Sequence, residues 1–219
     1  MLTMIVIGRK YILEKNKIKN IIFDVGEVLI EYRWKDMLMD YGLDEESAIK
    51  LGEKMFHSPL WTTLDLGMMT DEEIIMEYKK RYPEDAEIIS WFISHGEYMH
   101  VPRTDIWEKV HALKEQGYSI YLLSNYSKGL FDKHTKDATF LNDITGKVVS
   151  YQIHIAKPDK RIYQYLLEQY DLRISECVFL DDREENTKAA KEIGMKTITV
   201  TSRKFLNNLL NDWISYGVY

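Results

Sequence analysis

The sequence predicts an α/β fold in which a doubly wound parallel sheet carries an inserted, all-helical domain. Short apolar runs alternate with helical patterns throughout residues 101–219, and one further apolar run lies at 20–24. Residues 35–100 show apolar residues at helical spacing and no strand pattern. Because alternating strands and helices build parallel βαβ units, we expect a core from 1–34 and 101–219, interrupted by a helical insert at 35–100.

Short apolar runs are the signal for the strands of this core. A continuous apolar run suits a strand that is buried on both faces of its sheet. The predicted strands are 20–24, 118–123, 147–151, 177–180 and 196–200.

Helical patterns separate these runs. Gly117 and Gly194 stand where a glycine commonly ends a helix, and Ser127 stands where a serine commonly begins one. The predicted core helices are 104–116, 127 to about 140, 159–170, 184–193 and 203–214.

The insert is predicted to be a series of helices. Residues 34–56 and 84–99 have helical spacing, and Ser58 opens a further short helix. Thr70 and the glutamate three residues later form a capping box, so another helix begins there. Aromatic residues at helical spacing usually form the core of such a unit, so no insert residue is assigned to the site.

Composition limits the classes of function. The chain has 219 residues, 45% of them hydrophobic and 29% charged, which is typical of a globular protein. Its net charge of −6 argues against a nucleic acid partner and against a polybasic membrane anchor. Cys177 is the single cysteine, which excludes an internal disulfide and favours a reducing compartment. We therefore expect a cytoplasmic protein. The segment 1–19 is basic, and we expect it to form an extra strand or a solvated extension.

Polar residues follow the predicted strands where those strands end. Asp24 ends the first strand, Ser124 and Asn125 the second, and Asp181 with Asp182 the fourth. In parallel sheets, ligands bind at the carboxyl ends of the strands. We therefore expect these side chains to meet in one site.

The charge of that set indicates its chemistry. Three carboxylates converge only when positive charge joins them, and Lys157, which follows the third strand, supplies one such charge. Magnesium suits the rest, because Mg²⁺ takes one or two carboxylates and clamps a substrate phosphate. The pattern predicts phosphoryl transfer, in which positioning and charge neutralisation do most of the catalysis.

Four segments in this order resemble the four motifs of the haloacid dehalogenase (HAD) superfamily. They are FDVGEVL at 23–29, LLSN at 122–125, AKPD at 156–159 and VFLDDREEN at 178–186. The resemblance implies a Rossmann-like core, and the insert corresponds to the family's helical cap.

The resemblance also implies roles for individual residues. Asp24 is similar to the nucleophile that forms an aspartyl phosphate, and Lys157 to the lysine that holds both nucleophile and phosphate. Ser124 and Asn125 resemble the residues that bind phosphate oxygens.

A metal site is implied in the same way. Asp182 matches the direct Mg²⁺ ligand, and Asp181 matches the acid that supports the metal. Asp24 and the carbonyl of Gly26 would complete the ligand set.

One position departs from the family pattern. The usual first motif has a second aspartate two residues after the nucleophile, where it acts as general acid and base, but this chain has Gly26. General acid–base catalysis is typically worth about 10²–10⁴-fold, and sugar phosphatases of the FDxGxV subgroup share the gap. We therefore expect substrates with good leaving groups, such as anomeric sugar phosphates or acyl phosphates. Glu27 is a weak candidate for the missing acid, because neighbouring residues leaving a strand point to different sides.

The leading prediction is a Mg²⁺-dependent phosphatase acting on a small phosphorylated metabolite. A 2-haloacid dehalogenase of the same fold is an alternative, but it needs no metal and the Asp181–Asp182 pair argues against it. A non-catalytic protein that binds a phosphometabolite is a third, and Gly26 is the residue that supports it. The sequence does not indicate how many copies of the chain associate.

Overall fold

The computed structural model describes residues 18–218, and the predicted strand or extension at the N-terminus therefore lies largely outside the described residues. Within this range there are seven strands in two sheets. They are β1 Asn20–Phe23, β2 Ile30–Tyr32, β3 His100–Pro102, β4 Ser119–Ser124, β5 Ile144–Val149, β6 Cys177–Asp181 and β7 Lys196–Thr199.

Eleven α-helices accompany the strands in the described part of the chain. The first five belong to the insert: α1 Trp34–Tyr41, α2 Glu45–Phe56, α3 Pro59–Asp65, α4 Asp71–Arg81 and α5 Ala86–Ser94. The others are α6 Thr104–Glu115, α7 Lys128–Thr135, α8 Ser150–Ile153, α9 Lys160–Gln169, α10 Glu184–Glu192 and α11 Arg203–Tyr216. None of the helices within 18–218 has the length and apolar character needed to cross a membrane.

The main sheet is parallel, with the strand order β5-β4-β1-β6-β7. After β1, the chain adds β4 and β5 on one side of it and then β6 and β7 on the other side, which is the predicted doubly wound arrangement. The reversal places β1 at the centre, between β4 and β6. The carboxyl end of β1 is therefore the switch point at which ligands bind in such sheets.

Both faces of this sheet are buried, as the continuous apolar runs predicted. Successive side chains of β1 point to opposite faces: Ile21 and Phe23 pack into a cluster that contains Trp213, whereas Ile22 packs into a second cluster with Tyr163. Helices thus cover the sheet on both sides.

The insert has a third hydrophobic cluster, formed by residues between Met37 and Met99. The capping box predicted at its centre is present, because the Thr70 hydroxyl accepts from the Glu73 N–H and the Glu73 carboxylate accepts from the Thr70 N–H. Ser58 caps the short helix α3, also as predicted.

Several element boundaries differ from the predictions, those of β5 and α7 among them. The third core strand runs over Ile144–Val149 rather than 147–151, and Ser150 already begins α8. Strand β5 begins early because its ladder with β4 already starts at Ile144, which lies opposite Ile120. Helix α7 ends at Thr135 rather than near residue 140. At this end of the helix, the Thr135 hydroxyl donates to the Phe131 carbonyl at 2.7 Å.

Strands β2 and β3 were not predicted. They pair antiparallel, Ile30 opposite Pro102 and Tyr32 opposite His100, where the chain enters and leaves the insert. Three residues are too few for an alternating pattern to show in the sequence.

Candidate active site

A cleft of about 630 Å³ lies between the carboxyl edge of the main sheet and the insert. The sheet brings the predicted residues to it from separate parts of the chain. Asp24, Gly26, Ser124, Asn125, Lys157 and Asp182 all line the cleft.

Asp24 follows the last residue of β1 and is almost completely buried. Its Oδ1 accepts from the Ser124 hydroxyl at 2.5 Å and from the Val25 N–H at 2.7 Å, and it lies 2.9 Å from Lys157 Nζ. Every hydrogen bond that the described residues donate to Asp24 goes to Oδ1. One carboxylate oxygen is thus fixed in position, and Oδ2 is left for a reaction partner.

Lys157 is buried beneath this carboxylate. Its ammonium lies 2.6 Å from Asp181 Oδ2 and 2.9 Å from Asp24 Oδ1, and it donates to the Leu123 carbonyl at 2.9 Å. Burial disfavours the charge, but the carboxylates of Asp181 and Asp24 outweigh burial and raise the pKa of Lys157. The lysine therefore stays protonated, with its three N–H groups directed at three acceptors.

Asn125 fixes the backbone of the lysine loop. Its side-chain Nδ2 donates to the Lys157 carbonyl at 2.9 Å, and its Oδ1 accepts from the Lys157 N–H at 2.8 Å. The predicted phosphate contact of Asn125 is thus limited to the second Nδ2 proton and the backbone.

Asp181 is fully buried and completely bonded. Asn186 Nδ2 donates to both of its oxygens at 3.0 Å, and the Arg183 N–H donates to Oδ1 at 2.8 Å. Its neighbour Asp182 is partly exposed to the cleft. Asp181 is therefore a supporting residue, whereas Asp182 has oxygen atoms to offer a ligand.

The three aspartates form one acidic group. Asp24, Asp181 and Asp182 each offer an oxygen atom, and these atoms lie within 4.8 Å of one another. Burial raises the pKa of Asp24 to about 7, against the effect of Lys157, and burial together with Asp181 raises the pKa of Asp182 to about 6. This excess of negative charge on hard oxygen donors fits a divalent cation such as Mg²⁺.

Gly26 lies under the ring of Tyr32. A Cβ at position 26 would stand 2.4 Å from Tyr32 Oη and 2.7 Å from Cε2, so the tyrosine fills the space of a side chain there. Burial raises the pKa of Tyr32 well above its ordinary value, and its hydroxyl stays protonated.

Glu27 also borders the cleft, but its carboxylate is held in place. It accepts from the Tyr32 N–H at 2.9 Å and lies 3.0 Å from the guanidinium of the buried Arg103. Arg103 also donates to the Glu27 carbonyl, which secures a left-handed backbone at φ 53°. These contacts hold Glu27 in the turn that follows Asp24 and leave its carboxylate bonded to Tyr32 and Arg103.

The insert supplies the opposite side of the cleft. Trp34, Phe56 and Trp61 line it, together with Met99. Asp65, at the end of α3, is the partly buried acid on this side, and burial raises its pKa to about 7.

The sequence profile of the haloacid dehalogenase-like hydrolases matches residues 18–194, which is most of the chain and contains the whole acidic group. The chain belongs to the haloacid dehalogenase-like hydrolase family. It is therefore a hydrolase, and the predicted superfamily is confirmed.

Relatives of this hydrolase include phosphatases. It is 25% identical to D-ribitol-5-phosphate phosphatase of Bacteroides thetaiotaomicron over 82% of this chain and 90% of the relative. It is 24% identical to sesquiterpene phosphatase astK of Aspergillus oryzae over 84% and 90%. It is also 25% identical to drimenol cyclase drtB of Aspergillus calidoustus over 83% of this chain, but that match spans only 34% of the cyclase.

Solved structures share the fold of the hydrolase. The HAD family enzyme bt-2542 of Bacteroides thetaiotaomicron, in complex with magnesium and inorganic phosphate, superposes with a TM-score of 0.67 at 23% identity, over 83% of this chain and 93% of that one. L-2-haloacid dehalogenase of Xanthobacter autotrophicus superposes with a TM-score of 0.64 at 14% identity, over 92% and 84%. These similarities confirm the predicted α/β architecture.

The sequence predicts the residues on the sheet side of this cleft but not the other residues that border it. Tyr32 and Arg103 belong to no motif, and they act through contacts with Gly26 and Glu27 that only the folded chain creates. The aromatic residues of the insert were interpreted as core, and Phe92 is indeed fully buried, whereas Trp61 borders the cleft.

Proposed function

We propose that this hydrolase is a Mg²⁺-dependent phosphatase that cleaves a small phosphorylated metabolite through an aspartyl-phosphate intermediate. The observation that carries the proposal is the fixed carboxylate of Asp24. One oxygen is held by Ser124 and Lys157, while the other makes no hydrogen bond to the described residues. The phosphatases among the relatives support the same reaction.

In the first step, a carboxylate oxygen of Asp24 attacks the phosphorus atom of the ester. A bond from aspartate to phosphorus forms, and the bond from phosphorus to the leaving oxygen breaks. The Ser124 hydroxyl and the Lys157 N–H that contact Asp24 Oδ1 in the free site would exchange that contact for the phosphoryl oxygens, which stabilises the negative charge that develops there. In the second step, water attacks the phosphorus and gives a proton to the solvent, the bond from phosphorus to Asp24 breaks, and inorganic phosphate and the free Asp24 carboxylate are released.

The cation would be held by Asp24, Asp182 and the carbonyl of Gly26, with Asp181 supporting them through Lys157. When bound, it neutralises phosphate charge and orients the phosphoryl group for in-line attack. The donor chemistry of the acidic group carries this assignment.

With Gly26 in place of the usual acid, the first motif supplies no second carboxyl to protonate the leaving oxygen. We propose that the enzyme therefore prefers esters whose alcohols leave readily without protonation, as expected from the sequence. By leaving-group acidity alone, this class includes anomeric sugar phosphates and acyl phosphates, but the aromatic residues on the insert side of the cleft disfavour the hydroxyl groups of the sugars.

The test is phosphate release from a panel of phosphomonoesters, with and without Mg²⁺, for the wild type and for Asp24→Asn. The matched control is Asp212→Asn, which makes the same change at an exposed position of α11. We expect metal-dependent release that Asp24→Asn abolishes and the control retains. Acid-quenched wild type should also carry a hydroxylamine-sensitive phosphoryl group, and its absence during turnover would refute the intermediate.

The two alternative functions give different results in the same assay. Halide release from a 2-haloacid without metal would identify a dehalogenase. Binding of inorganic phosphate with Mg²⁺, but no turnover of any ester, would identify a binding protein.

A further inference from the structure

We infer that the substrate carries a hydrocarbon group next to its phosphate, so that the leaving alcohol is apolar rather than a polyol. This inference rests on the proposed phosphatase function and specifies its substrate class. It comes from the side of the cleft that faces the acidic group, not from the acidic group itself. The names of the relatives do not decide the matter, since they include both a sugar-alcohol phosphatase and a terpenoid phosphatase.

The insert side of the cleft is an aromatic wall, which we define as Trp34, Phe56 and Trp61. The rings contact one another edge to face: the centroids of Trp34 and Phe56 are 5.3 Å apart, and those of Phe56 and Trp61 are 4.6 Å apart. Each of the three side chains is only partly buried, and each lines the cleft. The wall therefore offers apolar surface to whatever extends from the phosphate.

The packing behind the wall holds it in place. The ring of Trp34 lies against Gly52, where a Cβ would stand 2.3 Å from a ring carbon. Phe56 and Trp61 pack on the fully buried Phe92, with centroid separations of 6.0 and 6.5 Å. A surface that is fixed before the ligand arrives binds without the entropic cost of ordering side chains.

Three polar side chains of the insert line the cleft, and two of them are exposed to solvent. Of the insert residues that line the cleft, His57 and Thr62 are exposed to solvent, which leaves Asp65 as the partly buried polar side chain. A polyol would place several hydroxyl groups against the rings. Each hydroxyl that loses water without gaining a partner weakens binding by roughly tenfold.

An apolar chain gains from the same surface. Removing one methylene group from water contributes about fourfold to binding. Since the phosphate is anchored at the sheet edge, each added methylene extends along the wall until the cleft is full. Longer alkyl esters should thus be better substrates, up to a limit set by the cleft.

The experiment compares n-alkyl phosphates from ethyl to hexyl with polyol phosphates of the same carbon number. These are all primary alkyl esters, so the acidity of the leaving alcohol changes little along the series. We expect kcat/KM to rise about fourfold per methylene, mainly through KM, and pentyl phosphate to exceed ribitol 5-phosphate. A polyol ester that equals or exceeds its alkyl counterpart would overturn the inference and leave the phosphatase function standing.

Variants test whether the wall produces the effect. Trp61→Ala should flatten the dependence on chain length, and Trp61→Leu should retain part of it. Trp91→Ala is the matched control, because Trp91 lies in the insert but is not part of the cleft lining; its ring packs at an angle on Tyr41 and stacks with His95. If Trp61→Ala keeps the full dependence, the wall does not select the substrate.

A binding measurement separates this inference from the proposed catalysis. The alkylphosphonates of the same chain lengths cannot be hydrolysed, and their binding is followed by quenching of tryptophan fluorescence. If no ester is turned over but affinity for phosphonates still rises with chain length, the phosphatase function fails and the apolar site stands. Affinity that is independent of chain length would overturn the inference.

Discussion

The contact between Gly26 and Tyr32 predicts what happens when a side chain is placed at position 26. A Cβ there would lie 2.4 Å from Tyr32 Oη and 2.8 Å from Cζ, far inside van der Waals contact. Overpacking of this kind typically costs about 1–3 kcal/mol. Gly26→Ala should therefore lower the free energy of unfolding by that amount. In a chain of this size the melting temperature would fall by roughly 2–12 °C.

A double-mutant cycle measures the contact directly by urea denaturation. Tyr32→Ala removes the ring and by itself loses packing against Tyr126, whose ring centroid is 6.2 Å away. In its background, Gly26→Ala should cost almost nothing, which gives a coupling energy of about 1–3 kcal/mol. If the two substitutions are additive, Tyr32 does not occupy the space in question and the reasoning is refuted.

The same pair of positions tests the missing acid. Gly26→Asp with Tyr32→Ala places a carboxyl where the family pattern has one, in space that the tyrosine has left. We expect faster phosphate release from alkyl phosphates, by a factor of up to about 10²–10⁴, and little change for aryl phosphates, whose alcohols leave without protonation. An unchanged ratio of alkyl to aryl rates would show that position 26 does not limit the leaving group.

Three other features of the site region have separate tests. Lys157→Met should lower the free energy of unfolding by about 3–5 kcal/mol, because buried Asp24 and Asp181 lose their counter-ion; an unchanged urea midpoint would contradict this. Chelation with EDTA should abolish phosphate release and added Mg²⁺ should restore it, whereas release that survives chelation would exclude the proposed cation. Burial lowers the pKa of His134 to about 4 in the folded protein, compared with about 6.5 in the unfolded chain. Below pH 6.5 the unfolded chain binds a proton at His134 that the folded protein does not, so the free energy of unfolding is greatest above pH 6.5 and falls by about 2 kcal/mol towards pH 5. His134→Gln should remove this part of the pH dependence, as measured by denaturation at pH 5 and pH 8.

Much of the fold follows from local signals in the sequence. The apolar run that contains Ile21 and Ile22 predicted a strand buried on both faces, and both residues are fully buried. The residues after such strands meet because parallel strands end at the same edge, which brought Asp24 and Ser124 into hydrogen-bond contact. Order along the chain was therefore sufficient to predict which residues meet at the sheet edge.

Features that depend on contacts between distant residues were not predictable. Strand β5 includes Gly146 because it pairs with Tyr121 of β4, and Tyr170, which follows α9, packs over this glycine and bonds the backbone of Lys147. Trp61 and Tyr32 contact both the insert cluster and a core cluster. The domain boundaries at 34/35 and 100/101 accordingly stay a prediction.

The short β2–β3 pair has a consequence for how the chain is assembled. Because Ile30 lies opposite Pro102, the two ends of the insert already meet in a hydrogen-bonded ladder. In terms of chain entropy, the insert is a loop whose two ends are held together by β2 and β3. The entropic cost of closing such a loop grows only slowly with its length. A helical unit attached in this way can be lengthened, shortened or exchanged with little penalty to the sheet. Changes in the insert can therefore alter the lining of the cleft while the polar residues at the sheet edge remain where they are.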